Sequence, residues 1–246
     1  MKAKGPFPEA ELWLESSNQL LPSLQNEKLN SEISHTCAQA RELLGRLQDL
    51  DLPIEETLRL VNEVHLLDAK TSTWRNGPEW KYKVIYRSEI TNDPEEASKF
   101  PACIEIHQDV WTAFEWNYHR TARILMHENL LQCLHRLRTT SHVVQQSLFE
   151  ATEQSSISTI RALADDILST VPQSFGDIDH EGNVLKNTGQ VPKCAAIGGY
   201  FLLWPMKIIK NTASATEDQR VMAQRVFQRI RECTGMKTAL GERSNI

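Results

Sequence analysis

One stretch constrains this chain more than any other. Between His107 and Arg138, Trp111, Phe114, Tyr118, Ala122, Leu125 and Cys133 recur at three- and four-residue steps, with Asn129 filling the remaining place. Residues so spaced line one face of an α-helix. Leu130, Leu131, Leu134 and Leu137 widen that face. A stripe this broad needs neighbours on several sides, because each of its aromatics can bury a large area. The chain is therefore built around a long central helix.

The rest of the chain supplies the neighbours. Ile33, Cys37, Ala40, Leu44 and Leu47 share a helical face, and after Pro53 the stripe resumes with Ile54, Leu58, Val61 and Leu67. Proline suits the first turn of a helix, and Glu55 and Glu56 suit its positive end. These two segments read as an antiparallel pair. A further helix is expected over Gln154–Val171, stopped by Pro172. Lys193–Ile209 is apolar nearly all round, as a helix enclosed by others would be, and Pro205 should kink it. Thr216 followed by Gln219 is a capping-box pattern that opens the last helix, and Gly235 can end it. An amphipathic stretch, Glu9–Leu24, precedes them all. The expected fold is all-α: a multi-helix bundle of antiparallel pairs around the long central helix. The expected layout is a single helical domain over residues 31–241, with an extension at 1–30 and a tail at 242–246.

Between Thr71 and Pro101 the helical period breaks. Asn76-Gly77-Pro78 and Asn92-Asp93-Pro94 are turn signals. Trp80, Tyr82, Val84, Ile85 and Tyr86 could form a short extended piece, but no second strand of similar quality stands out to pair it. The segment reads as an ordered irregular connection. Gln173–Pro192, with three glycines and no period, reads as a loop.

Composition narrows the function. A net charge of −5 speaks against stand-alone nucleic-acid binding, which rests on clustered Lys and Arg. Arg220, Arg225, Arg229 and Arg231 spread around one helix beside Glu217, Asp218 and Glu232, which favours solvated charges and intrahelical pairs. The five cysteines, Cys37, Cys103, Cys133, Cys194 and Cys233, are far apart and read as free thiols in a reducing compartment. Glu9, Glu11 and Glu15 break any secretory leader, and the apolar run from Cys194 to Ile209 is short for a membrane span.

Motifs of catalysis are scarce. No P-loop, G-x-S-x-G elbow or G-x-G-x-x-G occurs. Glu115, His119 and Arg123 recur at i, i+4 and i+8, followed by His127-Glu128 and His135. Zinc would need further ligands that the sequence does not mark, so a polar ladder is expected and no metal is assigned. Asp177-Ile178-Asp179-His180-Glu181-Gly182 begins like a calcium loop, but Thr188 stands where a bidentate carboxylate is required, so a polar turn is expected. Asp165 and Asp166 point about 100° apart on a helix and cannot flank one substrate directly. Gly198-Gly199 lies inside an apolar helix and points to close backbone packing. No cofactor is implied.

Several runs resemble the middle and C-terminal region of fungal transcription factors of the binuclear zinc-cluster type. They are Gly77-Pro78-Glu79-Trp80-Lys81-Tyr82, then Asp109–Glu128, which holds Trp111, Phe114 and Trp116-Asn117-Tyr118-His119-Arg120 followed by Arg123-Ile124-Leu125 and His127-Glu128, then Ile197-Gly198-Gly199-Tyr200-Phe201-Leu202-Leu203-Trp204-Pro205, and last Glu217-Asp218-Gln219-Arg220 with Gly235-Met236 and Leu240. They fall in the family's order. The resemblance implies an all-α regulatory domain, a nuclear role in transcription and no enzyme activity. Its partners would be proteins, a full-length zinc-cluster regulator or a second copy of the chain, with a small-molecule effector as a further candidate and no membrane. The family's six-cysteine DNA-reading segment is not among these residues, so direct DNA contact is not expected of them. A fragment, a truncated product and a regulator without its reader all remain open. Trp111, Tyr118, Tyr200 and Trp204 are the candidates for effector pocket or core, core being the ordinary place for aromatics. The rival reading is a helical enzyme acting on a small apolar substrate, with His119, Glu115 and Arg123 as its working groups.

Overall fold

The computed structural model describes residues 24–49, 52–72, 75, 77–90, 94–140, 146–185 and 193–234. The stretch before Leu24, Asn76, the Asn92-Asp93 pair, Thr188, Gly235 and the tail lie outside those residues. The chain divides into two compact units, Met1–Trp74 and Arg75–Ile246, where the sequence reading runs one domain from 31 to 241.

The first unit holds α1 (Leu24–Arg46) and α2 (Ile54–Thr71), which pack together as a helical pair. Helix α1 begins ahead of Ser31, where the clear apolar period starts. Leu44, Leu47, Leu60, Val61, Val64 and Leu67 are buried. Outside, Arg59 joins Glu56 and Glu63, and Arg46 reaches across to Glu56. Exposed pairs of this kind add little stability.

The second unit begins with a 3-10 turn, Pro78–Trp80, and a two-stranded antiparallel ribbon. Strand β1 (Lys83–Tyr86) pairs with β2 (Cys103–Ile106) in the register Lys83 to Ile106 and Tyr86 to Cys103. Between them lie the short turns α3 (Arg87–Ile90) and α4 (Pro94–Ala97). The expectation of an unpaired extended piece is corrected here. The partner strand escapes notice because Ile104, Glu105 and Ile106 are all buried, so the alternation that marks a half-exposed strand is missing.

The long helix α5 (Val110–Thr140) follows, capped by Asp109, whose carboxylate accepts the Thr112 N–H at 2.7 Å. It packs along α6 (Gln146–Ser169) and α8 (Lys193–Asn211), and α8 packs along α9 (Glu217–Thr234). The all-α bundle around a long central helix is thus the architecture of this unit. Its main core draws Ile124 from α5, Ile160 and Ile167 from α6, Leu202 and Ile209 from α8 and Ile230 from α9. The capping box forms as the sequence predicts: the Gln219 N–H donates to Thr216 Oγ1 at 3.2 Å, and the Thr216 N–H donates to Gln219 Oε1 at 3.0 Å.

Two details differ from expectation. Pro172 does not end helical structure; it sits early in a short helix, α7 (Val171–Phe175), where its missing N–H costs nothing. Gly176, with φ of 72°, closes that helix in the left-handed region. Helix α8 is also not enclosed all round. Leu202, Met206 and Ile209 face the core, while Ile197 and Tyr200 stay exposed. Among the described residues no helix is long and apolar enough to cross a membrane.

Candidate functional site

The most unusual feature of the second unit is a buried group of charges where β2 meets α5. Arg120, on the inner face of α5, holds Glu105 of β2 through two bonds of 2.8 Å each, one from each terminal nitrogen. Such a two-pronged pair fixes both groups in direction as well as distance. Both side chains are almost wholly buried. Arg120 also donates to the Asp166 carbonyl of α6 at 3.2 Å. One guanidinium therefore ties together the ribbon, the central helix and α6.

His107 completes this centre. Its Nε2 lies 3.0 Å from Glu105 Oε2. A carboxylate only accepts, so Nε2 carries the proton and Nδ1 is a bare acceptor; that atom is buried and meets no hydrogen-bond partner among the described residues. Burial holds the imidazole below its ordinary range despite the neighbouring carboxylate. For Glu105 burial pushes the other way, but the His107 bond and the Arg120 charge outweigh it, so its carboxyl also sits below the ordinary range. The main chain of His107 is clamped by Gln173 of α7: its N–H donates to Gln173 Oε1 at 2.8 Å, and Gln173 Nε2 donates to its carbonyl at 2.7 Å.

A second arginine sits at the edge of this centre. The side chain of Arg75 is fully buried and donates to Glu115 Oε2 at 3.1 Å. Its guanidinium lies 4.3 Å from the Trp80 ring and 5.5 Å from the Trp116 ring, a cation on aromatic faces. Trp116 Nε1 donates to the Trp80 carbonyl at 3.1 Å. The Tyr82 ring lies 4.8 Å from His107 and 5.6 Å from Trp116. On the adjacent turn of α5, Asn117 Nδ2 donates to Thr170 Oγ1 at 2.7 Å.

The aromatic candidates fall into two places. Trp111 of α5 lies 4.7 Å from Phe201 of α8, and Phe114 lies 4.5 Å from the same ring. Tyr118 and Tyr200 join the edges of this cluster, at 6.3 Å from Phe114 and 6.1 Å from Phe201. Two of the four candidates for pocket or core are exposed, Trp111 at 52% and Tyr200 at 39%. Trp111 stands on the first turn of α5 and Tyr200 on the outward face of α8, so α5 and α8 cover only the inner edge of each ring. Trp204 instead packs against the main core, with Lys207 Nζ 5.9 Å from its ring.

The other sequence candidates are placed as follows. Glu115 is held by Arg75, and His119 is buried on the same helix, 6.3 Å from the Trp116 ring. The calcium-like segment is a polar turn. Asp179 Oδ1 accepts the N–H groups of Glu181, Gly182 and Asn183 at 2.9 Å each, while Asp177 is gripped by Arg229 at 2.5 and 2.6 Å. Its carboxylates are thus spent on the protein itself. Among the described residues no cluster of His, Cys, Asp and Glu has the makings of a metal site.

Sequence reasoning did not single out Arg75, Glu105 or Gln173. A signal for Arg120 existed, in the Trp116-Asn117-Tyr118-His119-Arg120 run, but nothing in it names Glu105 as the partner. No protein-family model, curated protein or solved structure matches this chain.

Proposed function

We propose that this chain is the regulatory and interaction region of a nuclear transcription regulator of the fungal binuclear zinc-cluster type. It would work through protein contacts and not through catalysis. The observation that carries this reading is convergence. The Pro78–Tyr82, Trp116–Arg120 and Gly198–Pro205 runs are the ones that resemble the family, and they lie far apart in sequence. Trp80 and Tyr82 close over Trp116 and Arg120, and Trp111 and Phe114 on the central helix meet Phe201 of the Gly-Gly helix. Residues of these runs therefore pack on the same central helix, which supports the resemblance.

The partner surface in this reading is the open end of the Phe201 cluster, where exposed Trp111 and Tyr200 both meet Phe201 and exposed Ile197 lies one helical turn before it on α8. Large exposed apolar side chains grouped in this way mark contact sites. The occupant is the corresponding helical region of a full-length zinc-cluster regulator, and the chain would compete for that regulator's own partner. Glu115, which the enzyme reading would need as a free carboxylate, is engaged by Arg75.

The test is association with a full-length relative at physiological concentration. Purified chain and regulator should form a complex, and Trp111→Ala with Tyr200→Ala should weaken it about tenfold or more, as loss of aromatic anchors does. A tagged chain should also collect in the nucleus and lower expression from the regulator's target promoter. Absence of a complex, together with an unchanged promoter, would remove the proposal.

A further inference from the structure

Among the described residues the outer edge of the ribbon is open, and its charges and side chains point to an occupant. Arg87 lies opposite Ala102 in the β1–β2 register, and its N–H donates to the Ala102 carbonyl at 3.2 Å. Bonded and non-bonded pairs alternate along an antiparallel ladder. Arg87, Ile85 and Lys83 therefore turn their main-chain groups toward β2. Val84 and Tyr86 turn theirs away from it. The Tyr86 N–H, so directed, is met by Glu89 Oε1 of the same chain at 3.1 Å. The Val84 N–H and carbonyl meet no partner among the described residues, and the Val84 side chain is 47% exposed.

The two faces of this edge differ. Side chains alternate along a strand. Lys83 shares the face of buried Ile85 and is exposed, with exposed Lys81 and Arg87 flanking the strand, whereas Val84 and Tyr86 share the other face and are exposed too. The acidic groups nearby are already engaged or peripheral. Glu105, opposite Val84, is bound by Arg120 and His107, and the Glu181 carboxylate accepts from Asn183 Nδ2 at 3.3 Å while its carbonyl meets Lys83 Nζ at 3.5 Å. Glu89 caps the edge itself.

We propose that the outer edge of β1 takes an extended acidic segment of a partner protein as a third strand. In that segment carboxylates alternate with apolar side chains. The carboxylates lie along Lys81, Lys83 and Arg87, and the apolar residues lie along Val84 and Tyr86. Main-chain bonds to Val84 supply the pairing, and the period of two supplies the selectivity. Glu89 acts as an internal placeholder: its carboxylate fills the place that an incoming acceptor would take on the Tyr86 N–H. This edge involves none of Trp111, Ile197 and Tyr200, so the inference stands or falls apart from the proposed function.

The test uses the intact chain and a fluorescent peptide of alternating Glu and Val, with an alternating Lys and Val peptide as control. Anisotropy should show saturable binding of the acidic peptide, weakened by added salt, and amide exchange should slow at Val84. Val84→Pro removes the outward N–H yet leaves the β1–β2 ladder intact, since proline is tolerated on an edge. It should weaken binding about tenfold. The pair Lys81→Glu and Lys83→Glu should weaken it at least as much, and it carries the test if the proline variant does not fold. Glu89→Ala should tighten binding. Equal binding of both peptides, no saturation by about 1 mM, binding unchanged in both variants, or edge-to-edge pairing of two copies of the chain would each overturn the proposal.

Discussion

Arg120 and Glu105 show how much a single pair can matter when water is excluded. In water two such charges attract weakly, but taking either one into a protein interior alone costs several kcal/mol. Here each is satisfied: Glu105 by two guanidinium bonds and one imidazole bond, Arg120 by Glu105 and the Asp166 carbonyl. Removing one partner is therefore worse than removing both. Arg120→Met should destabilise by about 3–5 kcal/mol, because it strands the Glu105 carboxylate. Adding Glu105→Leu should restore a large part of that loss. Urea unfolding of the two single variants and the double variant checks this, and a double variant no more stable than Arg120→Met would refute the coupling. None of this is legible from sequence. Glu105 looks like a charge on a short apolar run, and only tertiary contact reveals that it is buried.

At the scale of elements, the 3.6-residue period makes the long helices readable, because each buries one stripe and shows the rest to water. Strand β2 and α7 are less readable for a physical reason. Four- and five-residue elements buried on several sides have no exposed face to set a period. Gly198 marks a further element-level constraint that the sequence does announce. A Cβ there would lie 1.7 Å from the Ser174 carbonyl oxygen, so α8 rests directly on the backbone of α7. That atom cannot swing aside as a flexible side chain could. Gly198→Ala should cost about 1–3 kcal/mol or more by overpacking, in spite of alanine's better helix propensity. Gly45 of α1 is the opposite case, with nothing within 4 Å of a Cβ. Gly45→Ala should stabilise by about 0.5–1 kcal/mol. Thermal melts of the two variants should move in opposite directions, and equal shifts would mean that helix propensity and not packing sets both.

For the whole molecule, the buried centre makes stability depend on pH in a defined direction. The sequence shows the helices that enclose this centre, yet not the centre itself, because Arg75, Glu105, His107, Arg120 and Gln173 come together from distant segments. His107 and Glu105 both hold protons less tightly in the folded chain than in the unfolded one. Unfolding at falling pH therefore takes up protons, and acid favours the unfolded state. The His107 contribution is full above its ordinary value of 6.5 and is lost as pH falls below it toward the depressed folded value. The Glu105 contribution follows only below 4.5. Asp166 works against it there, since burial pushes that carboxyl up, so the histidine limb is the cleaner one to read. His107→Gln keeps a donor for Glu105 but cannot titrate. Between pH 7.5 and 5.5 the urea midpoint of the unaltered chain should fall, and that of His107→Gln should fall less. If the two chains lose stability in parallel across that window, His107 is not held neutral in the fold.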